Sequence, residues 1–255
     1  MLEPTRPEPT RHPAMFSPPL LKTIANLLGP PPPGQPPLLL DPMGGVGTVG
    51  TLRHFGWHVI SNEIEMEWAC QAPGNGSTPT VGDAAALPYA DHSFAAAVTS
   101  PAYGNRLADH YMPVDLSARS HKVRRTYPMY LRRQVHDRSA ARFHWGKVYK
   151  ELLLAAFVEL RRVLRPDARF VGNYKDHFAT VVRRGVKTRE RRCLTAWCIT
   201  ALEDLGFTLR ARQRVPLRGD QNTNRARQRG DAVIDHEDVV LFTAPSNAHQ
   251  TALPF

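Results

Sequence analysis

Apolar residues follow two different periods along the chain, one typical of buried strands and one typical of amphipathic helices. Short runs such as Leu38-Leu39-Leu40 are apolar at every position and end at an acid, which is typical of strands covered on both faces. Segment 147–164 instead repeats apolar residues at helical spacing and ends before Pro166, which indicates a helix. The pattern predicts strands at 38–41, 57–63, 80–83, 94–98, 169–174, 207–216 and 238–243, and helices at 16–28, 47–55, from about 65, 147–164 and 193–205.

The order of these elements predicts an α/β fold with a mostly parallel, doubly wound sheet of seven strands and helices on both faces. The last two strands lack room for a helix between them, so we expect them to pair antiparallel. Residues 1–12 are polar and proline-rich and are predicted to form a disordered tail. Residues 13–255 are expected to form a single domain.

The chain carries 33 Lys and Arg against 23 Asp and Glu, for a formal net charge of +10. Such a balance favours a polyanionic partner, nucleic acid first and an anionic membrane second, although a basic solvated surface gives the same sum. The three cysteines are too few and too irregularly spaced for a disulfide framework, and no metal site is predicted. No apolar run approaches the ~20 residues of a membrane span, and no signal-peptide core is evident, so a cytoplasmic protein is expected.

A glycine-rich turn, 41–48, lies between the first strand and the next helix and reads DPMGGVGT. Glu63 ends the second strand about 20 residues further on, at the spacing where an acid binds the ribose hydroxyls of a nucleotide. Asp83 follows the third strand and is placed to meet an adenine amino group. The three strand ends predict one cofactor crevice; the alternative is that the two acids cap helices or face solvent.

Two segments are unusually basic. Residues 104–146 hold nine Arg and Lys against three acids, interleaved with aromatic residues, a composition typical of a nucleic-acid-binding insertion. A second basic loop, 210–235, holds seven arginines and several amide side chains able to read base edges. A solvated loop is the alternative for the first segment, and a disordered charged loop for the second.

The order of these motifs resembles that of class I S-adenosylmethionine-dependent methyltransferases, which have a Rossmann-like fold. More narrowly, Ser100-Pro101-Ala102-Tyr103 after the fourth strand resembles the [Asp/Asn/Ser]-Pro-Pro-[Tyr/Phe] tetrapeptide of nucleic-acid amino-methyltransferases. Segment 12–19 resembles their segment beside the methionine part of the cofactor, and 235–242 resembles their last strand. The chain departs from the family at Ala102, where a second proline is usual.

The resemblance implies S-adenosylmethionine as cofactor and no metal. The Ser100 oxygen and the Pro101 carbonyl would accept the hydrogens of an exocyclic amino group, while Tyr103 stacks on the base. Asn173 and Tyr174, at the end of strand five, would also face the base. The implied cofactor-binding residues are Phe16, Asp41, Pro42, Gly45, Gly47, Thr48, Glu63, Asp83 and Ala84, and the implied nucleic-acid-binding residues are Asn105, Arg106, Arg124, Arg125, Arg132 and Arg133.

Serine in the first position of the tetrapeptide favours N4 of cytosine over N6 of adenine in DNA as the methylated atom. In duplex DNA, the target base would have to leave the stack to reach Ser100. Two other functions stay open, an RNA amino-methyltransferase acting on a guanine in tRNA and a non-catalytic basic nucleic-acid-binding protein. The sequence does not decide whether a restriction endonuclease is a partner.

Overall fold

The computed structural model describes residue 12 and residues 15–104, 127, 131, 133–217 and 227–246. Residues 1–11 of the predicted N-terminal tail, much of the basic insertion 104–146 and the middle of the basic loop 210–235 lie outside the described residues. So do five of the residues predicted to bind nucleic acid, namely Asn105, Arg106, Arg124, Arg125 and Arg132.

A seven-stranded sheet has the strand order β3-β2-β1-β4-β5-β9-β8. The first five strands in that order run parallel, and β9 is antiparallel to both β5 and β8. The predicted fold class and the antiparallel pairing of the last two strands are therefore confirmed. The strands are β1 Leu38–Asp41, β2 His58–Glu63, β3 Thr78–Val81, β4 Phe94–Thr99, β5 Leu164–Tyr174, β6 His177–Arg183, β7 Val186–Arg192, β8 Thr208–Pro216 and β9 His236–Thr243.

Helices cover both faces of the sheet. Adjacent residues of a strand point to opposite faces, so each strand contributes to both cores. Phe170 of β5 packs in the core covered by the long helix, and Val171 packs in the core covered by the first helix. None of the helices among the described residues is long and apolar enough to cross a membrane. The helices are α1 Pro18–Leu28, α2 Met66–Ala69, α3 Lys147–Val163 and α4 Leu194–Asp204, with 3-10 turns at Thr48–Phe55, Ala72–Asn75 and Ala140–Arg142.

Two elements differ from their predicted form. Thr48–Phe55 is a 3-10 helix rather than an α-helix, since its β-branched residues and Gly50 are poor α-helix formers. Strand β5 begins at Leu164, directly after α3, instead of at 169. It accommodates Pro166 and a positive φ of 59° at Asp167 beside an irregularity in its pairing with β4.

A β-hairpin formed by β6 and β7 was not predicted. Its turn holds Arg184 and Gly185 at φ values of 49° and 79°, the two positive values required by a two-residue turn of type I′. The base is fixed by Asp176, whose Oδ1 accepts a hydrogen bond from the Thr195 amide at 3.0 Å and whose Oδ2 accepts one from Arg191 Nε at 3.0 Å. The hairpin is therefore anchored to the start of α4.

Candidate active site

The carboxyl ends of the parallel strands meet at one edge of the sheet, and a cavity of about 350 Å³ opens there. Its walls are the glycine turn after β1, the acid at the end of β2, the turn after β3 and the tetrapeptide after β4. This is the edge at which doubly wound sheets bind ligands. Ten predicted residues line the cavity: Phe16, Pro42, Gly45, Thr48, Glu63, Asp83, Ala84, Ser100, Tyr103 and Asn173.

Glu63 holds the glycine turn against the end of β2. Its Oε2 accepts a hydrogen bond from the Gly45 amide at 2.8 Å, and its Oε1 accepts one from the Glu65 amide at 2.9 Å. Burial raises the pKa of Glu63 to about 7. Because each carboxylate oxygen can accept more than one hydrogen bond, the side chain can still bind hydroxyl groups in the cavity.

Asp41 lies beneath the turn rather than in the cavity wall. Its side chain is almost fully buried, and Oδ1 accepts a hydrogen bond from the Met43 amide at 3.1 Å. Burial, with a smaller contribution from the neighbouring Glu63 carboxylate, raises the pKa of Asp41 to about 7. Direct contact of Asp41 with a cofactor is therefore not supported, and its role is to position the turn.

Gly47 also lies outside the cavity wall. Its φ is +74°, and a Cβ atom there would lie 2.7 Å from the Ala72 Cβ and 2.9 Å from the Ala72 Cα. The missing side chain therefore serves the left-handed turn and close packing against the protein itself, instead of the predicted approach of a ligand. Gly45, in contrast, lines the cavity.

Asp83 lies in the turn after β3, two residues past the end of the strand. Its Oδ1 accepts a hydrogen bond from the Ala85 amide at 2.9 Å, and its Oδ2 pairs with Arg138 from the basic insertion. The carboxylate predicted to meet an adenine amino group is thus partly occupied by an arginine. Arg138 itself lines the cavity.

The side chains of the tetrapeptide join a polar network with the ends of β5 and β9. Asn173 Nδ2 donates to Ser100 Oγ and to Glu237 Oε2, both at 3.1 Å. The Tyr103 hydroxyl donates to Glu237 Oε1 at 3.3 Å and lies 3.4 Å from Ser100 Oγ. Burial, with the Glu237 charge nearby, raises the pKa of Tyr103.

The backbone of the tetrapeptide is fixed from the α3 side. Tyr149 donates its hydroxyl hydrogen to the Ala102 carbonyl, and the Trp145 amide donates to the Gly104 carbonyl at 2.9 Å. Pro101 is buried and does not line the cavity, although Ala102 does. Ala102, which stands where a second proline is usual, therefore faces the cavity.

Glu237 and Lys175 line the cavity and were not among the predicted site residues. Asn173 lines it as expected, whereas Tyr174 is fully buried in the core below α3. The available sequence signals were the polar residues Asn173 and Lys175, which follow the apolar segment Phe170-Val171-Gly172, and the acidic start of β9. The spacing does not reveal which of these acids turns toward the cavity.

The described part of the basic insertion places arginines in ion pairs. Arg133, predicted to bind nucleic acid, donates to Glu65 Oε2 at 2.7 Å and to Glu67 Oε2 at 2.6 Å. The Glu65 side chain is fully buried, so this pair fixes the insertion against α2. Its guanidinium is therefore engaged by carboxylates, and a contact with phosphate would have to displace them.

Aromatic rings from separate segments form one wall of the cavity. The Trp68 and Tyr127 rings meet edge to face at a centroid distance of 5.0 Å, and the His12 ring lies 4.4 Å from Trp68. All three residues line the cavity. The wall thus joins α2 to the N-terminal segment and the basic insertion.

No protein-family model and no curated protein matches the chain. Solved structures do match, among them a SAM-dependent methyltransferase from Methanosarcina mazei, with 14% identity over 88% of this chain and 98% of that one and a TM-score of 0.51. A geranyl diphosphate methyltransferase solved with GPP and sinefungin has 13% identity over 88% of this chain and 76% of that one, at a TM-score of 0.51. The [4+2]-cyclase SpnF has 15% identity over 89% and 81%, at the same score of 0.51.

The strand order and these likenesses define the fold as the Rossmann-like fold of class I S-adenosylmethionine-dependent methyltransferases. At this level of identity the likeness shows the fold alone. One of the similar structures is named as a cyclase, so the reaction has to be argued from the site.

Proposed function

We propose that the protein is an S-adenosylmethionine-dependent methyltransferase that modifies an exocyclic amino group of a DNA base, N4 of cytosine in preference to N6 of adenine. One observation carries this proposal. The glycine turn with Glu63 and the tetrapeptide with Ser100 and Tyr103 line the same cavity. A methyl donor bound at the first wall and a base held at the second would therefore meet.

The cavity fits the cofactor in size and in the chemistry of its walls. Its volume of about 350 Å³ falls in the usual range of ligand pockets, about 300–1,000 Å³. Glu63 would accept the ribose hydroxyls, Ala84 would contact the adenine, and Phe16 would pack beside the methionine part. The cofactor supplies an electrophilic methyl group on a sulfonium.

The tetrapeptide wall suits an amino group as the acceptor. An exocyclic amino nitrogen is a weak nucleophile because its lone pair is delocalised into the ring, so acceptors that hold its hydrogens favour attack. Ser100 Oγ would be one of these acceptors, with the Tyr103 ring setting the plane of the base. The Pro101 carbonyl, predicted as the second acceptor, is not used here because Pro101 is buried and does not line the cavity. Glu237 adds a carboxylate within hydrogen-bond reach of Tyr103, and it could accept the proton that the nitrogen loses.

The test supplies the purified protein with S-adenosylmethionine carrying a deuterated methyl group and, in separate reactions, duplex DNA and tRNA. Each nucleic acid is digested to nucleosides, which are identified by mass spectrometry. We expect labelled N4-methyldeoxycytidine, or labelled N6-methyldeoxyadenosine, from DNA. Labelled guanosine from tRNA alone would replace the DNA assignment, and no labelled nucleoside from either acid would support the non-catalytic alternative.

A further inference from the structure

The hairpin β6–β7 stands beside the mouth of the cavity. Lys175 lines the cavity, and β6 begins at His177, two residues further along the chain. Arg189 of β7 donates from Nη1 to the Ala232 carbonyl at 3.3 Å, which joins the hairpin to the segment leading into β9 and Glu237. These two connections place the base of the hairpin next to residues that line the cavity.

The register of the hairpin places on one face two cations, Lys187 and Arg189, that form no ion pair among the described residues. Val182 pairs with Lys187 and Thr180 pairs with Arg189, so these two cations project to the same side. The Arg189 guanidinium stacks on the Phe178 ring at 4.7 Å and stays exposed. This face therefore presents cations beside small and apolar side chains.

The acids of the hairpin are already neutralised by other arginines. Glu190 pairs with Arg183 and Arg192, and Asp176 pairs with Arg191 at the base. Within the described ranges, no carboxylate forms an ion pair with Lys187 or Arg189, or with Arg184 in the turn. The outer part of the hairpin thus carries positive charge that no described carboxylate neutralises, although Arg189 also contacts the Phe178 ring and the Ala232 carbonyl.

Arg184 adds a second, independent observation. Its φ of 49° lies in the left-handed region, where a residue with a side chain costs roughly 1–2 kcal/mol, and its side chain is exposed. The turn geometry favours asparagine or glycine at this position. Among the described residues, no carboxylate forms an ion pair with Arg184 that would explain the choice of arginine. Strain of this kind points to a role outside the fold.

We propose that the outer half of the hairpin, through Arg184, Lys187 and Arg189, binds the phosphodiester backbone of the nucleic acid whose base enters the cavity. A two-stranded ribbon is narrow enough for the major groove of DNA, and cations are the side chains that bind phosphates. This inference rests on the proposed function for its choice of polymer. It does not require that methyl transfer occurs.

The test measures binding of a fluorescein-labelled DNA duplex and, separately, a labelled single-stranded RNA, by anisotropy over a range of salt concentrations. The variant R184G/K187Q removes two cations, and its glycine also relieves the positive φ, so the turn should still form. The variant K22Q/R53Q removes two exposed cations that do not line the cavity and serves as the matched control. Thermal melting and binding of S-adenosylhomocysteine show that each variant is folded.

Affinity falls with salt, and each lost phosphate contact reduces the steepness of log affinity against log salt by about 0.9 for a duplex. The loss of two contacts therefore reduces it by about 1.8. Between about 50 and about 200 mM salt, wild-type affinity should then fall about twelvefold more than that of R184G/K187Q. The control should keep the wild-type slope. A hairpin-dependent slope with RNA alone would keep the phosphate contact and identify RNA as its source.

Equal slopes for wild type and R184G/K187Q in both arms, or no binding of either acid by the wild type, would overturn the inference. The proposed function fails separately, when the wild type binds nucleic acid through the hairpin but transfers no methyl group. The proposed function holds and the hairpin inference fails when methyl transfer occurs and R184G/K187Q has the same salt slope as the wild type.

Discussion

Replacing Asp41 by Asn should remove a large part of the pH dependence of stability. Burial raises the pKa of Asp41 from 3.8 to about 7. The folded state therefore holds this proton more tightly than the unfolded chain. The stabilisation is complete below pH ~4 and is lost as pH rises through about 7. A pKa difference of about 3 corresponds to about 4 kcal/mol of unfolding free energy over that window.

The amide of D41N is neutral at every pH and can still accept the hydrogen bond from Met43. Its NH₂ group replaces an Oδ2 that has no partner among the described residues, so a cost of about 1–3 kcal/mol is expected at all pH values. Urea unfolding of wild type and D41N from pH 4 to pH 8 measures the difference. The variant should gain up to about 4 kcal/mol relative to wild type across that range.

The matched control is D204N, which neutralises an exposed carboxylate at the end of α4 and should keep the wild-type pH profile. If D41N and wild type gave parallel profiles, Asp41 would not be a buried carboxylate beneath the glycine turn. The argument for its positioning role would then fail, because both rest on the same burial.

Three further changes test separate parts of the site. Tyr103→Ala removes a base-stacking contact worth about 1–3 kcal/mol, so methyl transfer should fall by about fivefold to 160-fold while calorimetry shows nearly unchanged cofactor affinity. Equal loss of both would contradict the assignment of Tyr103 to the base. Glu237→Gln leaves one acceptor oxygen for two donors, so the transfer rate should fall by a similar factor at unchanged cofactor affinity, and an unaltered rate would remove Glu237 from the site. Gly47→Ala should lower the free energy of unfolding by about 2–5 kcal/mol in urea, because of the positive φ of Gly47 and the contact of the new Cβ with Ala72. The control Gly34→Ala, at φ +72° in open space, should lose only about 1–2 kcal/mol. Similar losses in the two variants would show that packing against Ala72 does not matter.

Strands β1 and β4 were predictable because each is a buried, largely apolar run with a defined end. Strand β1 has the predicted bounds, and β4 and α3 differ from prediction by one residue. The early start of β5 was not predictable, because the sequence Pro166-Asp167 is typical of a turn. Leu164 pairs with Phe94 of β4, and regular pairing with β4 and β9 resumes only at Arg169, so the strand continues across this irregular segment.

The hairpin was missed for a different reason. Both of its strands are largely exposed, so burial imposes no alternation of apolar and polar residues, and charge dominates the sequence of β7. Its one local signal is a glycine in the second turn position between β-branched residues. Arginine at the first position hides that signal, because the turn type favours asparagine, aspartate or glycine there.

The polar network of the site follows from strand register, which spacing in the sequence does not show. Val98 of β4 pairs with Val171 of β5, and Val239 of β9 lies opposite Asn173; all three valines pack in the core under α1. Two residues further toward the cavity edge, on the same side of the sheet, come Ser100, Asn173 and Glu237. The apolar face therefore continues as a polar one where the cavity begins. A slip of one residue in β9 would turn Glu237 to the opposite face and bring the neighbouring acid or histidine into its place, so the network and the core specify the same register.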